Sequence, residues 1–140
     1  MWHRAAEAKN FTMLTRLHST KRLASGVRNA SITSNVTFDT IAREWRCKWS
    51  VDADKASLTA AQSALEAHTA AIKAVPGVKS VQRIVCGGCQ DFKVIVALDA
   101  AAYGDFKAKN HGPEEQFLNA LKGIKGITNV ETQTYTIMPI

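Results

Sequence analysis

Nowhere do the 140 residues approach the ~18 consecutive apolar positions that would spell a membrane-crossing helix. Acids are nearly missing from the first quarter: across residues 1–36, Glu7 stands alone against Arg4, Lys9, Arg16, Lys21, Arg22 and Arg28. Cysteine is scarce, and three of them form no even framework, which argues against a disulfide-stapled secreted scaffold. There is no Gly-rich phosphate loop, no His-Glu-x-x-His pair and no RNA-binding aromatic signature. What remains is a chain of one-domain length whose hydrophobic fraction of 46% is too high for disorder. Beyond residue 36 the chain holds 12 basic against 11 acidic side chains. The net charge of +6 therefore reflects the first segment, and the body carries no general footprint for nucleic acid.

Residues 1–36 read as a basic arm. Phe11, Leu14, Leu17 and Leu23 lie at loosely helical spacing among basic, Ser and Thr residues. That is the composition of a mitochondrial transit peptide: cationic, amphipathic and acid-poor, without the long apolar core of a secretory signal. A retained arm would offer Arg16, Lys21, Arg22 and Arg28 to an acidic partner surface or to lipid headgroups.

Residues 37–140 read as a folded domain. Residues 42–51 alternate, with Trp45, Cys47, Trp49 and Val51 on one side and Glu44, Arg46, Lys48 and Ser50 on the other, which predicts a half-buried strand. If the tryptophans face the helices they are core; if they face away they anchor a partner. Leu58, Ala61, Leu65, Ile72 and Val75 form a stripe that predicts a helix over 58–75, capped by Ser57 or Thr59 and stopped by Pro76-Gly77. Strands follow at 78–86 and 91–98, joined by a turn at 87–90, and then a loop. Pro113, Glu114 and Glu115 open a second helix that runs to about Ile124 and buries Phe117, Leu118 and Leu121. Residues 127–138 are the last strand.

This order is β-α-β-β-α-β, the ferredoxin-like α+β pattern: a four-stranded antiparallel sheet with two helices on one face. An internal repeat supports it. Ile72-Lys73-Ala74-Val75-Pro76-Gly77-Val78-Lys79-Ser80-Val81 matches Leu121-Lys122-Gly123-Ile124-Lys125-Gly126-Ile127-Thr128-Asn129-Val130. The uncovered sheet face would seat a partner or a second copy.

The helix end Val75-Pro76-Gly77-Val78, the turn Gly88-Cys89-Gln90-Asp91 before an apolar strand, and the final helix leading into Ile124-Lys125-Gly126-Ile127 and a Thr-rich strand occupy residues 72–137. This stretch resembles the effector-binding half of the leucine-responsive regulator/AsnC family, and more broadly the dimeric α+β barrel superfamily. The resemblance implies a barrel-forming or partner-docking module with Gly88 and Asp91 as turn residues. No helix-turn-helix precedes it, so a transcription factor is not implied. Small barrel monooxygenases and haem-degrading enzymes also resemble this fold.

Cys86-Gly87-Gly88-Cys89 is the sharpest short motif. Such a pair can hold zinc or cycle as a thiol/disulfide; zinc would need four ligands, with Cys47 and either His68 or His111 completing the pair, and redox catalysis is disfavoured because the motif lies in a strand-to-strand turn rather than at the start of a helix. A tight Gly-Gly turn is the simpler reading, so no metal and no cofactor are expected. Arg46, Lys48 and Lys93 fall on the open sheet face, where an anionic ligand or an acidic partner could dock. His68 falls mid-helix, on the surface. His111 in the loop could act as a general base, but no nucleophile or paired carboxylate is seen to accompany it.

The arm and the missing catalytic constellation together predict a non-catalytic accessory subunit of a large mitochondrial assembly on the matrix side or at the inner membrane. A respiratory-chain complex or ATP synthase comes first and the mitochondrial ribosome second, with RNA a partner only in the last case. The alternative is a small dimeric α+β-barrel enzyme or ligand-binding protein of the matrix.

Overall fold

The computed structural model describes residues 30–140. Arg16, Lys21, Arg22 and Arg28, and the import and docking roles expected of them, lie outside the described residues. The chain divides into two units, Met1–Thr37 and Phe38–Ile140. In the first, β1 (Ala30–Thr33) pairs with β2 (Val36–Phe38), whose last residue begins the second unit. Thr33 Oγ1 donates to Asn35 Oδ1 at 2.9 Å across the turn between them. Composition alone did not suggest this hairpin, because all of β1 is exposed and its residues show no alternation.

The second unit runs β3 (Thr40–Lys48), α1 (Asp52–Lys73), β4 (Val78–Cys86), β5 (Asp91–Asp99), α2 (Ala100–Ala108), α3 (Glu114–Lys122) and β6 (Thr128–Ile137). The sheet order is β4-β5-β3-β6, with every neighbouring pair antiparallel. This is the ferredoxin-like arrangement that the element order predicts. Trp45, Cys47 and Trp49 of the β3 segment meet Phe92, Val94, Val96 and Leu98 of β5 in one core. The helices close that core with Ala61, Leu65, Ile72, Tyr103, Phe106, Phe117 and Leu121. Trp45 and Trp49 are therefore core, and the partner-anchor alternative for them does not hold.

The repeat is visible in the backbone. Gly77 (φ +86°) and Gly126 (φ +96°) occupy equivalent offsets in the two halves, and each turns the chain from a helix end into a strand through a conformation costly for residues with a Cβ. Each glycine also faces a close neighbour. A Cβ on Gly77 would lie 2.2 Å from the Ala102 Cβ, and one on Gly126 would lie 3.0 Å from the Ser57 Cβ.

Four local expectations fail for identifiable reasons. Val51 is 58% exposed and does not join Trp45, Cys47 and Trp49, because β3 ends at Lys48 and the chain then enters a left-handed turn at Ala53, Asp54 and Lys55. Glu44, expected on a solvated face, is buried; its Oε1 accepts from the Tyr135 hydroxyl at 2.9 Å, and its Oε2 has no hydrogen-bond partner. Ser57 does not cap α1. It sits inside the helix, where its Oγ accepts from the Ser50 N–H at 2.9 Å and so ties the helix to the end of the β3 segment. Finally, a third helix, α2, occupies the stretch read as a loop. Its sequence shows only Tyr103 and Phe106 as buried positions, with Gly104 between them suggesting a break.

Candidate active site

The helix-facing side of β3 carries one residue out of place. Ile41, Trp45 and Cys47 share a phase suited to the core, yet Arg43 sits in that phase too. The guanidinium reaches α3, where Arg43 Nε donates to Glu114 Oε1 at 2.7 Å and Nη2 donates to Oε2 at 3.2 Å. Trp45 Nε1 donates to the same Oε1 at 2.5 Å. Arg43 Nη1 also donates to Thr134 Oγ1 on β6 at 2.8 Å. Register explains this contact, since Arg43 is paired directly with Thr134.

From Thr134 the chain of contacts turns back inward. The Tyr103 hydroxyl lies 2.9 Å from Thr134 Oγ1 and 3.0 Å from His111 Nε2. His111 Nδ1 lies 3.8 Å from Glu114 Oε2, too long for a hydrogen bond but close enough for charge to be felt. The imidazole is held between rings, with centroids 5.1 Å from Phe106 and 5.8 Å from Tyr103. One proton arrangement satisfies the chain throughout: Arg43 donates to Thr134, Thr134 to Tyr103, and Tyr103 to His111 Nε2. His111 then carries its own proton on Nδ1, toward Glu114. Thr134 is exposed, so the chain opens to solvent at the β6 edge and ends against the fully buried Trp45.

The charge states follow from these contacts. The hydrogen bond to Glu114 raises Arg43 above its already high value against the opposing effect of burial, so the guanidinium stays charged. Burial pushes the Glu114 carboxyl up, but the hydrogen bonds from Arg43 and Trp45, with the Arg43 charge, outweigh it and hold the carboxyl below its ordinary range. Burial and then the Arg43 charge lower His111 against the pull of Glu114. At neutral pH the site thus holds a neutral imidazole bonded to a phenol, beside a fixed ion pair. A neutral imidazole can accept a proton, and the phenol and hydroxyl can carry that proton to the surface.

His111 therefore has the companions that were not visible in the sequence. Tyr103 lies in the helix read as a loop, Glu114 looked like a helix-start acid, and Thr134 looked like ordinary strand. Arg43, a cation in the apolar phase of an alternating strand, is the one feature that could have flagged the site. His68, expected on the surface, is half-buried instead. Its Nδ1 lies 2.8 Å from the Ala64 carbonyl oxygen and its ring sits edge-on to Phe117 at 5.7 Å.

The other sequence candidates fall elsewhere. Arg46, Lys48 and Lys93 do come together on the open face, around a pocket of about 260 Å³ that Asp91, Asn129 and Glu131 also line. Two of the three cations are neutralised locally: Lys48 Nζ lies 2.6 Å from Asp91, and Arg46 Nε lies 3.2 Å from Glu131. Lys48, chiefly through its hydrogen bond, holds the Asp91 carboxyl below its usual range. Gly88 is in the β4–β5 turn, and Asp91 is the first residue of β5. Cys86 and Cys89 are joined as a disulfide across that turn. Cys47 is buried in the core cluster, where burial pushes its thiol up to about 11. Among the described residues no group of three or more His, Cys, Asp or Glu side chains is placed to hold a metal.

No family model and no curated protein matches the chain. Solved structures do. A variant of SnoaB, a cofactor-independent oxygenase from Streptomyces nogalater, superposes with a TM-score of 0.50 at 14% identity, over 73% of this chain and 96% of the other. A Deinococcus radiodurans protein whose structure was solved under the description of a putative antibiotic biosynthesis monooxygenase gives 0.53 at 14% identity, over 71% and 94%. The Streptomyces coelicolor monooxygenase from ActVA-Orf6, solved with nanaomycin D, gives 0.51 at 14% identity, over 74% and 90%. The fold they share with this chain is the ferredoxin-like α+β arrangement of a four-stranded antiparallel sheet and helices. At these identities the likeness speaks for that fold alone.

The reading as a non-catalytic subunit of a respiratory complex, ATP synthase or mitochondrial ribosome is corrected by these findings. It rested on the basic arm together with the absence of a catalytic constellation, whereas the three solved structures named above carry oxygenase or monooxygenase names and Arg43, Thr134, Tyr103, His111 and Glu114 come together in one cluster. The small-enzyme alternative is the better supported one.

Proposed function

We propose that this chain is a small oxygenase of the barrel type, in which the Arg43–Thr134–Tyr103–His111–Glu114 cluster removes a proton from a phenolic or enolic substrate. The observation that carries the reading is the neutral His111 bonded to Tyr103 beside a partly buried ion pair, on a fold shared with a cofactor-independent oxygenase and with a monooxygenase solved with nanaomycin D. The chemistry is coherent. Ground-state dioxygen reacts slowly with neutral organic molecules and accepts an electron far more readily from an electron-rich anion. An enzyme whose substrate is its own electron donor must first make that anion.

His111 is the base in this scheme, through Tyr103. Arg43 is the cation nearest the developing negative charge, and its position is set by Glu114. Trp45 Nε1 fixes the same carboxylate from below and so braces Arg43 indirectly. Polycyclic phenols are the substrate class to try first, because a planar aromatic anion delocalises charge and one structure of this fold was solved with nanaomycin D.

On the sheet face away from the helices Ala42, Glu44 and Ala97 at the centre are buried, whereas Ile84 and Ile137 on the outer strands are 42% and 39% exposed, and it is along these outer strands that we expect a second copy to seat. Sedimentation equilibrium should then give twice the 15.2 kDa chain mass, and a monomer at micromolar concentration would refute that expectation.

The test of function is oxygen uptake by the purified full chain with a panel of hydroxylated naphthalenes and anthracenes. His111→Ala and Tyr103→Phe should each lower the rate by roughly 10²-fold or more. The acid limb of kcat/KM should fall below pH 6.5, because His111 is lowered from that value in the folded protein. Uptake no faster than buffer across the panel, or full activity in His111→Ala, would defeat the proposal.

A further inference from the structure

The Cys86–Cys89 disulfide has no part in the site above, and its surroundings differ from those of a structural cross-link. It spans three residues in sequence and closes one tight turn. Closing so short a loop removes little chain entropy from the unfolded state, so the fold does not depend on it. The turn is held independently by the end of the β3 segment. Trp49 N donates to the Gln90 carbonyl at 3.0 Å, Gln90 Nε2 donates to the Trp49 carbonyl at 3.1 Å, and Trp49 Nε1 donates to the Asp91 carbonyl at 3.1 Å. Lys48 Nζ adds a bond to the Cys89 carbonyl at 2.9 Å.

Access to the disulfide is open. Gly87, Gly88 and Cys89 are exposed, and a Cβ built on either glycine would meet nothing within 4 Å. The two sulfurs are unequal. Cys86 is half-buried at the last paired position of β4, opposite Asp91, and its Sγ receives the Cys89 backbone N–H at 3.1 Å. Cys89 Sγ has no such donor among the described residues. A thiolate on Cys86 would be stabilised by that N–H, which makes Cys86 the better leaving group and Cys89 the exposed point of attack.

We propose that Cys86–Cys89 is a thiol–disulfide exchange site that takes two electrons from a dithiol. A thiolate of the dithiol attacks Cys89 Sγ, a new S–S bond forms, and the Cys86–Cys89 bond breaks with its electron pair going to Cys86. The second thiolate of the reductant then attacks its own sulfur in the mixed disulfide and releases Cys89 as a thiolate. The reductant leaves as a disulfide, and the two protein thiolates take up protons according to pH. The third cysteine, Cys47, is buried on the core side and takes no part.

The test uses the full chain purified without reductant. It is incubated with dithiothreitol in native buffer, quenched with N-ethylmaleimide and weighed intact. Two added maleimides on a chain with unchanged circular dichroism, with Cys47 modified only after denaturant, support exchange at this turn. Resistance to dithiothreitol until denaturant is added overturns it, as does labelling of all three cysteines at once, which would mean global opening. A second measurement tests the direction of attack. When the oxidised chain is treated with excess reduced glutathione and quenched with N-ethylmaleimide, peptide mapping should place glutathione on Cys89 and maleimide on Cys86. Glutathione on Cys86 would show that Cys86 is the point of entry.

Discussion

Glu114→Ala removes the acceptor that holds the Arg43 side of the site together, and its cost can be worked from the contacts. Three donors lose their partner: Arg43 Nε, Arg43 Nη2 and Trp45 Nε1. The indole N–H belongs to a residue with 0% exposure while Glu114 is in place, and a buried donor left without its acceptor costs ~1–3 kcal/mol. Breaking a fully buried ion pair costs ~3–5 kcal/mol. Here the side chains of Arg43 and Glu114 keep 15% and 14% exposure, and Arg43 retains Thr134, so that figure must be discounted. The expected total is about 2–4 kcal/mol, with the indole contributing at least as much as the charge. In urea, with a mid-range slope of ~2 kcal/mol/M, the unfolding midpoint should fall by roughly 1–2 M.

Glu114→Gln is the control. It keeps one oxygen for the shared position between Arg43 and Trp45, and should cost only about 1 kcal/mol. The pH dependence has a definite sign. The folded Glu114 pKa lies below its ordinary 4.5, so its contribution is fully present above that value and is lost as pH falls through the folded one. Both variants should therefore show a flatter acid limb of stability. A Glu114→Ala midpoint within error of wild type would refute the reasoning, and so would equal losses in the two variants.

His111 should titrate below 6.5 by NMR, and its contribution to stability should be complete above that value and lost as pH falls through the folded one; a midpoint at or above 6.5 would contradict the burial argument. Gly77→Ala should cost about 2–4 kcal/mol, from the positive φ and the collision with the Ala102 Cβ, and adding Ala102→Gly should recover only the collision part; full recovery would show that φ carries no strain. Val51→Ser should change the urea midpoint by no more than ~0.5 kcal/mol equivalent, as suits an exposed side chain, and a larger loss would return Val51 to the core.

Much of the domain was legible because its signals are local. The stripe Ala61, Leu65, Ile72 repeats within one helix, and Phe92, Val94, Val96, Leu98 repeats within one strand. The matched segments ending at Gly77 and Gly126 encode the two halves of the fold in adjacent residues. The helix α2 was not legible for the same reason in reverse. With Ala-rich sequence, Gly104 in the middle and only Tyr103 and Phe106 buried, it has too few contacts of its own to show a period. Val51 and Ser57 were misplaced because their roles depend on the left-handed turn between them and on the bond from the Ser50 N–H to the Ser57 hydroxyl, not on spacing.

The β-α-β-β-α-β order and the antiparallel ferredoxin-like sheet were determined by the sequence, since alternation and helical periodicity are properties of neighbouring residues; which way Trp45 and Trp49 face was decided only in the folded structure. The site was decided only by the tertiary structure. Arg43 and Thr134 are 91 positions apart and meet because β3 and β6 pair in one particular register. Tyr103 and His111 join them because α2 and the turn after it lie over the same strand edge. A side chain's neighbour across a sheet is set by register and topology, and a shift of one residue in β6 would have turned Thr134 to the opposite face and left Tyr103 and Arg43 without a link.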